Sequence, residues 1–170
     1  MTPSEILIRT SHIYHKRRER FFRLMDAGAK FLSIVALTAL ASGDSWLSIL
    51  VALVSGASTI LSVVLDFPGM AAKHEELAKE YVCLLSEYME NQAKDTQVDR
   101  DIKADRKRRE IQLREPSVLR GLAQICTDEV EAVIHHDVPM NRLSMWRRFK
   151  AHFGGGEMPP YWESQETEPK

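Results

Sequence analysis

The side chains best equipped for chemistry lie toward the C-terminal end, where His135, His136 and Asp137 are followed by His152 as a candidate fourth ligand. Adjacent histidines on a helix point about 100° apart, so they do not chelate one ion together as the i, i+4 pair of H-E-x-x-H does. They read as polar groups closing a helix, and no metal is expected. Cys83 and Cys126 are far apart, with no C-x-x-C or Cys/His spacing, which predicts buried thiols in a reducing compartment. The chain has no P-loop, no G-x-G-x-x-G after a strand and no G-x-S-x-G elbow, and the glycine run at 154–156 reads as a hinge. No cofactor and no catalytic apparatus are expected, so the chain does not read as an enzyme.

A row of small residues carries more physical content. Ser48, Ala52 and Gly56 recur every four positions, and Ser55, Thr59 and Ser62 lie alongside them, a pattern that lets another helix backbone approach closely. Packing against the preceding apolar segment is the plain consequence. The same hydroxyls would line a polar path in an assembly, because a water-filled pore needs donors and acceptors on its wall. One helical hairpin cannot enclose a pore, so that use requires a homo-oligomer.

Two charge-free stretches, 31–42 and 45–65, position these residues. The second has the length of about twenty helical residues, which matches a hydrocarbon core of about 30 Å. The first is shorter and must borrow the turn before it, with Lys30 reaching toward the headgroups and Asp26 four residues away to offset it. Gly43-Asp44 between serines reads as the turn, with Trp46 at the water interface. Lys16, Arg17, Arg18, Arg20, Arg23 and Lys30 flank the first stretch, and an excess of Lys and Arg there marks the cytoplasmic side. Both termini are then expected in the cytoplasm of a cell with the hairpin in its inner membrane. A soluble bundle with a buried central hairpin would also lack charges there, but the remaining segments offer only narrow apolar stripes to cover it.

The averages conceal this segregation. Of 170 residues, 44% are hydrophobic and 28% charged, the net charge is -1, and the mean hydropathy is -0.27. A near-zero net charge removes the uniform basic excess expected of a nucleic-acid binder, and the basic run 106–109 reads as a solvated face among acidic neighbours. The sequence predicts an N-terminal helix from Ile6, started at Ser4-Glu5 after Pro3, and a break at Pro68-Gly69. An amphipathic helix over 70–94 presents Leu77, Tyr81, Leu84, Leu85 and Tyr88, and Thr96 with Asp99 resembles a cap within the charged segment 91–114. A last helix opening at Glu115-Pro116-Ser117 carries Leu119, Leu122 and Ile125, which are expected to pack with Leu77, Tyr81 and Leu84. A basic aromatic stretch containing Trp146 follows. The organisation expected is therefore all-α, a two-helix transmembrane hairpin with long amphipathic cytoplasmic helices: a basic cytoplasmic helix (1–30), the hairpin (31–66), a cytoplasmic helical region (67–153) and a disordered tail (154–170).

The basic aromatic helix HIYHKRRERFFRLMDAGAKF, the tight hairpin and the segment LRGLAQICTDEVEAVIHHD resemble the SLATT-type proteins, bacterial two-transmembrane effectors associated with nucleotide-sensing and antiviral conflict systems. The resemblance covers roughly residues 6–153 and rests on architecture, since that family has no catalytic motif. It implies a membrane-permeabilising effector released by a cytoplasmic sensor or nucleotide-signalling protein. Two other readings compete: a membrane-anchored helical adaptor that recruits a cytoplasmic partner, and a soluble helical interaction module. The expected partners are the lipid bilayer, further copies of the chain and that sensor, with no specific nucleic acid.

Overall fold

A computed structural model of the chain describes residues 2–41, 45–134 and 149–153. Among these the elements are all helical: α1 (Pro3–Ala41), α2 (Ser45–Val64), α3 (Phe67–Glu90), a 3-10 turn (Asn91–Ala93), α4 (Gln97–Gln112) and α5 (Arg120–Ile134). The all-α class expected from the sequence is the one observed. The readings placed on the Gly43-Asp44 turn, on His135, His136 and Asp137, on Trp146, and on the glycine run and tail lie outside the described residues.

Thr2 starts α1, with Pro3 in the first helical position and the Glu5 N–H donating to Thr2 Oγ1 at 3.2 Å. Pro loses nothing there because that N–H has no helical acceptor, so the start falls two residues before the expected Ser4. No further proline interrupts α1, which runs for 39 residues from charged sequence into the apolar stretch. The expected boundary at residue 30 is therefore chemical and lies inside one continuous helix.

Asp66, at φ 45°, makes the break between α2 and α3. This left-handed conformation ends α2, and the Asp66 Oδ1 then accepts from the Gly69 N–H at 3.1 Å, capping α3. Pro68 and Gly69, expected as the break itself, belong to the first turn of α3. A Cβ at Gly69 would come within 2.0 Å of Asp66 Oδ2, so a larger residue there would push the Asp66 side chain out of this cap. Thr96 caps α4 as expected, its Oγ1 accepting from the Asp99 N–H at 3.3 Å.

The chain forms two compact units, Arg17–Glu75 and Met1–Lys16 with Glu76–Lys170. Burial in the latter falls in two clusters. Ile8, Leu77, Tyr81, Leu84, Tyr88, Ala104 and Ile111 form one; Tyr14, Leu122, Ile125, Cys126 and Ala151 form the other, with Leu119 against it. The six residues expected to pack together are thus divided three and three. Cys126 is buried as expected but Cys83 is exposed, because it lies off the apolar stripe of α3. Val98 and Ile102 of α4 also face solvent, leaving Ala104 and Ile111 as its buried points. Lys107 pairs with Glu87, and Arg114 forks onto Glu80 at 2.6 and 2.8 Å. These exposed pairs align the charged helix, and solvent screening leaves them little weight in its stability.

In the unit Arg17–Glu75 the described core is small. Phe22, Phe67 and Ala71 are buried together, with Phe21, Met25 and Met70 against them. The His74 ring stacks on Phe22, centroids 5.7 Å apart.

Candidate functional site

The hairpin of α1 and α2 inverts the pattern of a water-soluble helix pair. Ser48, Ser55 and Ser62 are buried, as are Ala29 and Ala36. Phe31, Ile34, Leu37, Ile49, Leu53, Ile60 and Val64 are exposed, with Leu53 at 69% and Ile60 at 66%. Burying one such side chain fully is worth about 1.5–3 kcal/mol. Summed over this face, the unrealised burial rivals the net stability of a whole domain, about 5–15 kcal/mol. An apolar surface of this extent marks a place where something other than water is met.

Helical geometry explains which small residues turn inward. Four residues advance about 40° beyond one turn, whereas seven fall only about 20° short of two. The buried row consequently follows the spacing of Ser48, Ser55 and Ser62. Of the other residues in the small face, Ala52 is half-buried while Gly56 and Thr59 are exposed. A Cβ added at Gly56 meets nothing within 4 Å. Across the pair, Ser33 Oγ and Thr59 Oγ1 lie 2.9 Å apart.

Polar groups gather at the end of the pair near Asp66. A cleft of about 340 Å³ is lined by Asp26, Lys30, Ser33, Thr59, Ser62 and Asp66, with Ala29, Val63 and Pro68 between them. Lys30 Nζ donates to Asp26 at 2.6 Å, which realises the neutralising i, i+4 pair expected from the sequence. Of the remaining basic flank, Arg23 pairs with Glu19 at 3.0 Å and Glu75 at 2.6 Å. The Arg18 guanidinium lies 4.5 Å from the centre of the Phe22 ring. Arg20 is exposed, and Lys16 and Arg17 are half-buried.

Among the described residues no single helix is long and apolar enough to cross a membrane. The segments Ser48–Val64 and Phe67–Ala93 meet that requirement only as a pair, bent by 43° at the break. Where the sequence predicts a two-span hairpin, the structure shows two helices, α1 and α2, with apolar exteriors.

The unit containing α4 and α5 holds a second polar constellation, which the sequence reading missed. Tyr81 Oη donates to Glu115 Oε1 at 2.5 Å, and His15 Nε2 lies 3.0 Å from the same oxygen. The His15 and Tyr81 rings stack at 5.6 Å. Burial, then the Glu115 carboxylate, pushes the Tyr81 phenol well above its usual range, so it stays a donor. Glu115 was expected to open a helix. Pro116 bars the preceding residue from helical geometry, and α5 begins only at Arg120. That frees the Glu115 side chain to turn inward, where it fastens the connection between α4 and α5. The available signal was Tyr81 on an apolar face, since a buried phenol needs a partner.

No group of His, Cys, Asp and Glu among the described residues is placed to hold a metal ion. Comparison with family models, with curated proteins and with solved structures finds no match to this chain.

Proposed function

We propose that the chain is a membrane-anchored helical adaptor, whose α1–α2 hairpin embeds in a lipid bilayer and whose other unit offers helices to a cytoplasmic partner. The observation that carries this reading is the inversion of the hairpin, with serines turned inward and large aliphatic side chains turned out. Hydrocarbon accepts those side chains without cost, whereas each hydroxyl left in it needs a protein partner. At about 1.5 Å per residue the 20 residues of α2 extend about 30 Å, so the hairpin reaches deep into a bilayer. The basic residues before it favour the cytoplasmic side for both ends of the chain. The test is retention in the membrane pellet after alkaline carbonate, for the wild type and for the double variant Leu53→Glu, Ile60→Glu. Both positions are exposed, so charges there leave a hairpin bathed in water unharmed but release one held by lipid.

A second reading, in which assembled hairpins permeabilise the inner membrane in antiviral defence, draws on the SLATT-type resemblance and on one structural feature. Gly56 is exposed with open space before it, which leaves room for the helix of another copy. Dye-monitored membrane potential in expressing bacteria separates this effector from the adaptor.

A further inference from the structure

The cleft beside Asp66 has an unequal inventory of donors and acceptors. Ser33 Oγ donates to the Ala29 carbonyl at 3.0 Å, and Thr59 Oγ1 donates to the Ser55 carbonyl at 2.9 Å. Each hydroxyl has a single proton. The two oxygens also lie 2.9 Å apart, a hydrogen bond in which either can donate, so two protons serve three contacts and hydroxyl lone pairs are left over. Ser62, only 8% exposed, lines the same cleft and makes no hydrogen bond to a described residue. The Asp26 charge is offset by Lys30, but among the described residues no cation pairs with Asp66. The cleft therefore has carboxylate and hydroxyl acceptors in excess and a net negative charge.

We propose that this cleft binds a primary ammonium group, as carried by an ethanolamine lipid headgroup or by a soluble amine. Such a group brings one positive charge and three N–H donors, which suit Asp66, the facing oxygens of Ser33 and Thr59, and Ser62. A quaternary ammonium has the charge without the donors and leaves these acceptors unmet. At about 340 Å³ the cleft is also roomy for a bare metal ion and within the range of small-ligand sites. The lipid source rests on the bilayer reading above; the ammonium chemistry does not.

The full chain in a neutral detergent is mixed with phosphatidylethanolamine or phosphatidylcholine, and bound lipid is counted by native mass spectrometry. In parallel, Tm is measured with free ethanolamine, choline or sodium. The expected result is a preference of about tenfold or more for the ethanolamine lipid, the size of one charge-assisted hydrogen bond. Asp66→Asn should reduce it to parity, while its amide oxygen still caps Gly69 and Asn tolerates the positive φ. If Asp66→Asn loses helical signal, Ser62→Val, which leaves that cap untouched, takes its place. A rise in Tm with ethanolamine but not choline assigns the same site to soluble amines. Equal binding of the two lipids with no response to ethanolamine, a preference that survives both variants, or stabilisation by sodium alone overturns the proposal. Flotation with phosphatidylcholine vesicles separates the two ideas. A chain that floats without ammonium preference keeps its anchor and loses this site, and one stabilised by ethanolamine without floating does the reverse.

Discussion

Tyr81 Oη donates to Glu115 Oε1 at 2.5 Å, joining α3 to the connection that follows α4. Glu115→Ala leaves the phenol and the buried His15 ring without this acceptor. A buried polar group deprived of its partner costs about 1–3 kcal/mol, so chemical denaturation should show a loss of that size. Tyr81→Phe in the Glu115→Ala background should cost less than it does alone, because the partner is already gone.

His12 gives the protein an acid-sensitive contribution. Burial lowers its pKa, with help from the charges of Lys16 and His15, so the fold favours the neutral ring. For a histidine depressed in this way, the contribution is present above the unfolded pKa of about 6.5 and is lost as pH falls through the lower folded value. Unfolding free energy should decline below that pH, and His12→Gln should flatten the decline. Parallel curves for the two proteins would contradict the assignment.

Leu84 and Leu122 are both buried, in different clusters. Leu84→Asp or Leu122→Asp places an unpaired charge in apolar surroundings and should cost several kcal/mol, seen as a lower denaturation midpoint. The milder Leu84→Ala should cost about 2–5 kcal/mol. Combined with Leu122→Ala it should be additive to within about 0.5 kcal/mol, since the residues share no cluster.

Gly56 separates folding of one chain from assembly of several. Nothing stands within 4 Å of a Cβ at that position, so Gly56→Leu should insert and fold like the wild type. Any loss of crosslinked oligomers then reports on contact between copies. Unchanged oligomers, or none in either protein, would remove Gly56 from such an interface.

Much of the local structure was legible in the sequence. Thr96-x-x-Asp99 announced a cap, the spacing of Leu77, Tyr81, Leu84 and Tyr88 announced a buried stripe, and Asp26 with Lys30 announced an ion pair. These follow from contacts three or four residues apart. What was not legible depends on groups distant in sequence or on small angular drift. Glu115 acquires its role from Tyr81 and His15, which are 34 and 100 residues away. Ser62 and Asp66 meet Ser33 only because α1 and α2 pair, and four-residue spacing placed Gly56 in a row that the longer seven-residue register leaves outside. The break at Asp66 was hidden by Pro68 and Gly69, the more familiar breakers, although proline is at home in a first helical turn.

The hairpin's place in a bilayer is tested most directly through Trp46, which lies in the first turn of α2 and is 70% exposed. A variant with Trp146→Phe and Trp162→Phe leaves it as the single indole, and its fluorescence is recorded in phosphatidylcholine vesicles with brominated acyl chains. An embedded hairpin predicts blue-shifted emission and strong quenching, both abolished by Leu53→Glu with Ile60→Glu. Emission at the wavelength of a water-exposed indole, unchanged by brominated lipid, would contradict the account.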